Sequence, residues 1–261
     1  DTYTADPEAA EALLAEGDPL FFGSYMYMHD RLADRFPTEV IPGLPAFTAA
    51  TAATASPLVR QTDVLTVLPG TLPEPELARR LAATDGAIIM KLGRTFPAVR
   101  RALAAAGRLE HALYVERASH TGQRWLPVAD VDEASVPYLS LNVVNGDSLN
   151  GRRSRTPTPQ AGTVSTPVAG NAAELLVIGL GPGPQDWLTP EATAALAEVG
   201  HVVGYGPYVA RVPQREGLQR HASGNTVEVD RARFALELAL NGEKVAVVSG
   251  GDAGVFGMAS A

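Results

Sequence analysis

Leu175-Leu-Val-Ile-Gly-Leu-Gly-Pro-Gly183, followed by Trp187-Leu-Thr-Pro-Glu191, is the stretch whose reading decides the fold of this chain. Glu174 to Leu180 is a short apolar run bounded by turn residues, the pattern of a buried strand. It ends in glycines, which let a backbone come close to a ligand at the carboxyl end of a strand. That is the usual ligand crevice of an open α/β sheet. Thr189 predicts a helix N-cap and Pro190 a first helical residue. The loop is not the G-x-G-x-x-G dinucleotide fingerprint, because Pro184 stands where the third glycine belongs and Pro182 stiffens the turn. No Gly-Lys-Ser/Thr follows, so it is not a P-loop either. A plain tight turn is the competing reading.

Outward from this loop, strands and helices alternate. Downstream, the patterns predict a helix over Pro190–Glu198, a strand over His201–Tyr205, a helix over Ala232–Leu240 and a strand over Lys244–Ser249. Upstream, apolar residues at helical spacing (Tyr25, Met28, Leu32, Phe36) predict a helix within Ser24–Phe36, then a short strand Glu39–Ile41 closed by Pro42-Gly43. Ala46–Ala55 reads as a small-residue helix. Asp63–Leu68, Ala87–Leu92, Ala112–Arg117 and Tyr138–Val144 read as strands, with helices Pro75–Ala83 and Phe96–Ala106 between them. This order predicts α/β layers with largely parallel sheets.

Gly146–Ala173 differs in kind. It is rich in Gly, Ser, Thr, Pro, Asn and Arg with almost no large apolar residue, which predicts a linker and a domain boundary. Its Arg152-Arg153-Ser154-Arg155 cluster is the strongest basic feature of the chain and reads as solvated linker. The net charge of −8 argues against nucleic acid as the main partner, because binding phosphates needs a positive field. Apolar residues make up 46% and charged ones 19%, a balance expected of a globular chain with a real core. No apolar run reaches the roughly 20 residues of a membrane-spanning helix, and the start has no secretory pattern. Cysteine is absent, excluding thiolate metal sites and cysteine nucleophiles and fitting the cytoplasm. The five histidines lack metal-ligand spacing and read as structural or exposed.

Gly17-Asp-Pro-Leu-Phe-Phe-Gly23 and Gly251-Asp-Ala-Gly-Val-Phe-Gly257 share the pattern G-D-x-x-x-F-G, 234 residues apart. Asp after Gly can accept hydrogen bonds from a ligand's hydroxyl or amino groups; an Asx-type turn is the competing reading. The repeat predicts a tandem array. With Asp at position 1 and a glycine turn near the last residue, the expectation is a piece of that array.

A GxGPG loop, a Gly-Asp turn and a strand ending in Pro-Gly together resemble the tetrapyrrole methylase family. Glu16–Tyr27, Glu39-Val-Ile-Pro-Gly43, Asp63–Pro69, Ile89-Met-Lys-Leu-Gly93 and Tyr114-Val-Glu-Arg-Ala118 resemble precorrin-2 carbon-20 methyltransferases. The loop at Gly179–Gly183, Trp187–Ala192, Val203-Gly-Tyr205 and Ser249-Gly-Gly-Asp252 resemble the start of precorrin-3B carbon-17 methyltransferases. The resemblance implies the class III S-adenosylmethionine-dependent methyltransferase fold, in incomplete units of two α/β domains each. It divides the chain into 1–62 and 63–145 for the first enzyme, a linker at 146–173, and 174–261 for the second.

The same resemblance implies S-adenosylmethionine as methyl donor, a precorrin as substrate, and no nucleic-acid or membrane partner. A homodimer is compatible with it. The cofactor contacts it implies are Glu16, Gly17, Asp18, Phe21, Pro45, Ala46, Met90 and Ala118 in the first part. In the second they are Pro182, Gly250, Gly251, Asp252 and Val255. No catalytic residue and no metal ligand is implied, and Met90 read alone would be a core residue. Arg60, Arg94 and Arg124 are candidates for the substrate's carboxylates, with solvated surface as the competing reading. The sequence departs from the family pattern by lacking a first GxGPG loop and a second-unit Pro-Gly turn. Tyr205-Gly206 also stands where many relatives carry an acidic residue. Rival expectations are a same-fold enzyme acting on RNA or protein, a non-catalytic remnant, and mutual completion of the two partial units.

Overall fold

The computed structural model describes residues 13–60, 62–146, 174–224, 227–253 and 255. The predicted linker lies outside the described residues apart from Gly146, as do Phe256 and Gly257 of the second Gly-Asp repeat. Two compact units are distinguished, one up to Ala49 and one from Ala50 onward.

The first unit holds one helix, α1 (Tyr25–Leu32), and the start of a second, α2 (Ala46–Thr54). None of its described residues is buried, and Tyr27, Ile41 and Leu44 are widely exposed. The predicted strand Glu39–Ile41 is not a strand here. A strand is defined by its ladder, and no described segment pairs with this one.

The second unit contains two sheets. In the first, β1 (Leu65–Pro69), α3 (Glu74–Ala82), β2 (Gly86–Met90), α4 (Phe96–Ala105), β3 (Ala112–Glu116), β4 (Arg124–Pro127) and β5 (Ser140–Val144) follow in order. The strands lie side by side as β1-β2-β5-β3-β4. Only β1 and β2 pair in parallel; β5 runs antiparallel to both β2 and β3, so this sheet is mixed rather than largely parallel. The reason is local: β4 and β5 return by short irregular connections, with no helix long enough for a parallel crossover. Leu77 and Leu81 of α3 and Phe96, Val99 and Leu103 of α4 pack on Ile89 and Tyr114 in one core. Each such buried side chain contributes roughly 1.5–3 kcal/mol.

The second sheet is made from β6 (Glu174–Gly179), α5 (Pro190–Glu198), β7 (His201–Tyr205), α6 (Gly206–Val209), β8 (Gln219–Ser223), α7 (Glu228–Leu240) and β9 (Lys244–Ser249). Its order is β6-β9-β7-β8, and every pair is parallel. Parallel sheets need both faces covered. Ile178, Leu196, Val202, Val209 and Val248 form the core on one face, while Val203, Ala235, Val245 and Val247 form it under α7 on the other. Thr189 caps α5 as its sequence predicts, its hydroxyl oxygen accepting from the Ala192 N–H at 3.0 Å. The short α6 and the strands β4 and β8 were not expected, and α7 begins four residues before its predicted start. Beyond β9 the chain makes one isolated parallel bridge, Val255 to Val59.

Candidate functional site

Two glycine turns, 70 residues apart in sequence, meet at the carboxyl ends of the neighbouring strands β6 and β9. The Gly181 N–H donates to the Gly251 carbonyl at 3.1 Å, and the Gly251 N–H donates back to Gly181 at 3.1 Å. Both residues are in the left-handed region, with φ of +62° and +65°. A side chain on Gly181 would also come within 2.9 Å of the Trp187 carbonyl, so glycine is required there by conformation and by space. The Leu180 N–H donates to Ser249 at 2.8 Å, which ties the loop to the end of β9 a second time.

Two of the loop's donors are thereby engaged. Pro182 and Pro184 have no N–H, and those of Leu180 and Gly181 are engaged by backbone. A pyrophosphate site needs several N–H groups aimed at one point. This loop instead turns carbonyls together: Leu180, Gly181 and Gly183 all accept from the Arg211 guanidinium.

The second-part residues implied by the resemblance occupy this place. Gly250, Gly251 and Asp252 form the turn after β9, and Val255 lies on the bridge to Val59. Pro182 is exposed at the loop's tip. Sequence reading missed Arg211, whose surroundings carry no motif, and Trp187 as the loop's other wall. A pocket of about 120 Å³ opens beside Leu180, Pro184, Gln185, Leu188 and Arg211.

In the first unit another pair of predicted turns meets. Asp18 accepts from the Leu20 N–H at 2.9 Å, an Asx turn, and its other oxygen accepts from the Gly43 N–H at 3.2 Å. The carboxylate thus joins the Gly-Asp turn to the Pro-Gly turn. Phe21 sets its ring edge-on to Phe47 at 5.7 Å, near half-buried Pro45 and exposed Ala46. Glu16 is exposed and engaged in an interaction of its own.

Met90 ends β2, and Ala118 lies two residues past β3. Since β2 and β3 both run antiparallel to β5, the two residues share one end of the mixed sheet. Both are half-buried. Among the candidate arginines, Arg124 is committed to Glu116 at 2.7 Å, and Arg60 donates to the Gly146 carbonyl at 3.2 Å. Arg94 is exposed, with no ion pair among the described residues. Burial drives the Glu116 carboxyl up, but hydrogen bonds from Arg124 and Tyr114 outweigh it and hold the carboxyl below its usual range. Tyr114 is pushed well above an ordinary phenol, first by burial and then by the Glu116 carboxylate beside it. Among the described residues no group of His, Asp and Glu could hold a metal ion. No described helix is long and apolar enough to cross a membrane.

Comparison with known proteins agrees with this geometry. The sequence profile of the tetrapyrrole (corrin/porphyrin) methylases matches residues 5–134 and 174–261. The cobalamin biosynthesis protein CobIJ of Mycobacterium tuberculosis is 53% identical over 250 residues, 96% of this chain and 46% of that protein. The precorrin-2 C(20)-methyltransferase of Sinorhizobium sp is 50% identical over 155 residues, 56% of this chain and 63% of the relative. The precorrin-3B C(17)-methyltransferase of Sinorhizobium sp is 48% identical over 87 residues, 33% of this chain and 34% of the relative. The chain spans about half the length of the CobIJ protein it matches. A profile match in two segments, 5–134 and 174–261, over turns whose glycines the backbone demands, leaves one conclusion: this chain belongs to the tetrapyrrole methylase family and has its fold.

Proposed function

We propose that this chain takes part in S-adenosylmethionine-dependent carbon methylation of a precorrin in cobalamin biosynthesis. Residues 1–145 serve precorrin-2 carbon-20 methylation, and residues 174–261 serve precorrin-3B carbon-17 methylation with ring contraction. In this reading 1–62 is cofactor domain and 63–145 second domain of one enzyme, 146–173 is linker, and 174–261 opens the next. The observation that carries it is the Gly181–Gly251 junction, a glycine crevice at the strand ends where the Leu180 and Gly181 N–H groups are held by backbone carbonyls and Pro182 and Pro184 offer none. A sulfonium donor has no phosphate to hold, so it does not call on those N–H groups.

Bound S-adenosylmethionine supplies an activated methyl group for in-line displacement by a nucleophilic tetrapyrrole carbon. The chain's part is to bind, orient and keep water out. Gly250, Gly251 and Asp252 would line the cofactor's side of the second crevice, with Pro182 and Val255 at its edges. Glu16, Gly17, Asp18, Phe21, Pro45 and Ala46 would serve the first, with Met90 and Ala118 on the mixed sheet. Such chemistry needs little acid–base machinery, so no general base is assigned. Of the three candidate arginines, Arg94 is exposed with no ion pair among the described residues and is offered to a substrate carboxylate. Nucleic acid and membranes have no part in this reading; a homodimer is compatible with it.

Calorimetry with S-adenosylmethionine tests the first step, and mass spectrometry of precorrin-2 incubated with the chain and the methyl donor tests the second. Saturable binding and the gain of one methyl group are expected. Absence of binding would instead support a non-catalytic remnant.

A further inference from the structure

The crossover from β7 to β8 carries Arg211 and Arg215, and β8 itself holds Arg220; all three guanidinium groups donate to main-chain carbonyls. Arg215 reaches Leu196 and Val199 at the end of α5, and Arg220 reaches Val212. Arg211 is different in what it holds. One terminal nitrogen donates to the Gly181 carbonyl at 2.9 Å, and the other donates to Leu180 at 2.5 Å and to Gly183. Its own N–H donates to the Tyr208 carbonyl at 3.0 Å, so α6 fixes its backbone.

These contacts divide the loop's anchorage in two. Leu180 and Gly181 are tied by their N–H groups to Ser249 and Gly251. Beyond them the prolines donate nothing, and the Gly183 peptide has the Arg211 guanidinium as its polar anchor. On the other side the Trp187 ring closes against Gly183, where a Cβ would come within 2.9 Å of it. A planar guanidinium can meet three converging carbonyls at once, which the single nitrogen of lysine cannot do with the same geometry.

We infer that Arg211 is a positioning residue for the Gly179–Gly183 loop, setting the shape in which that loop meets the methyl donor. Arg211 does not touch the reacting atoms; it acts through the loop carbonyls. The inference rests on the methyl-donor reading above for its functional half, while its structural half stands on the hydrogen bonds alone.

The test uses the full chain with Arg211→Gln, Arg211→Lys and, as a control, Arg215→Gln. Amide hydrogen exchange without any cofactor should quicken at Leu180, Gly181 and Gly183 in Arg211→Gln and stay unchanged there in Arg215→Gln. By calorimetry, the Kd for S-adenosylmethionine should rise about tenfold to a hundredfold in Arg211→Gln, with Arg211→Lys between it and the wild type. Arg215→Gln should lower the unfolding midpoint while leaving that Kd in place.

Unchanged loop exchange and unchanged affinity in Arg211→Gln would overturn the inference. So would an equal rise in Kd in Arg215→Gln, which would mean general loosening. If Arg211→Gln does not fold, Arg211→Lys decides: weakened binding supports the role and wild-type binding overturns it. A wild-type chain that binds no S-adenosylmethionine removes the methyl-donor reading and the functional half with it. The exchange result then decides the structural half.

Discussion

Single residues decide the candidate sites in ways the sequence only partly shows. Gly181 was legible as part of a GxGPG pattern, but the reason for it was not: a left-handed backbone against the Trp187 carbonyl. Gly181→Ala should therefore cost about 1–2 kcal/mol from backbone conformation alone and break the junction with Gly251. Urea unfolding should show an earlier midpoint, and calorimetry a loss of methyl-donor affinity. Arg124 teaches the opposite lesson. It reads as a free cation for a carboxylate ligand, yet its partner Glu116 lies on the facing strand, a pairing invisible without the β3–β4 register. Arg124→Met should leave Glu116, 5% exposed, with Tyr114 as its remaining side-chain donor. The loss should be about 1–3 kcal/mol, held down by the solvent exposure of Arg124 itself. Chemical denaturation of the variant measures it.

At the level of elements, sequence pattern served best where one signal had no rival. Pro190–Glu198 and His201–Tyr205 were read with the bounds the structure gives them, because Thr189-Pro190 starts the helix and a Val-Val pair ahead of Tyr205, set off by glycines, marks the strand. Gln219–Ser223 escaped notice because an edge strand of Gln, Arg, His, Ala and Ser has no apolar alternation; its pairing with β7 makes it a strand. That strand brings His221 to His201, with Nε2 to Nδ1 at 3.0 Å and the rings stacked at 5.2 Å. His201 also faces Glu243 at 3.4 Å, and Phe234 of α7 meets His221 edge-on. Burial, then the neighbouring His201, holds the His221 imidazole below its ordinary 6.5. The folded state thus prefers neutral His221. Its contribution is complete above 6.5, declines as pH falls below that value, and is gone once pH drops through the depressed folded value. Each kcal/mol lost should lower the melting temperature by about 2–4 °C, and His221→Gln should flatten the slope between pH 7.5 and 5. Thermal scans at stepped pH would show it.

Across the whole molecule, the order of strands and helices announced an α/β protein, and the repeated Gly-Asp turn announced more than one unit. The mixed first sheet was not legible, since periodicity sets a strand's faces and not the direction of its neighbour. Nor was the strandless state of Glu39–Ile41, because a strand depends on a partner and the sequence of one segment says nothing about its partner. The overall charge carries its own expectation. A chain at −8 should repel a polycarboxylate tetrapyrrole at long range, so added salt should help rather than hinder their encounter. On the proposed precorrin methylation, the KM for precorrin-2 should fall about two- to threefold between low and physiological ionic strength. A steady-state series in potassium chloride would read it, and a rise would place the substrate in a locally positive field.

The paired amides of Gly181 and Gly251 bear on heredity as well as on binding. A staple made of main chain depends on the glycines at its crossing and on the number of residues around them. Exposed Pro182 can be exchanged with the knot intact, while one residue added between Gly179 and Gly183 would draw Gly181 out of reach of its partner. Descent would then be free to respell this loop only away from its glycines, and barred from lengthening it.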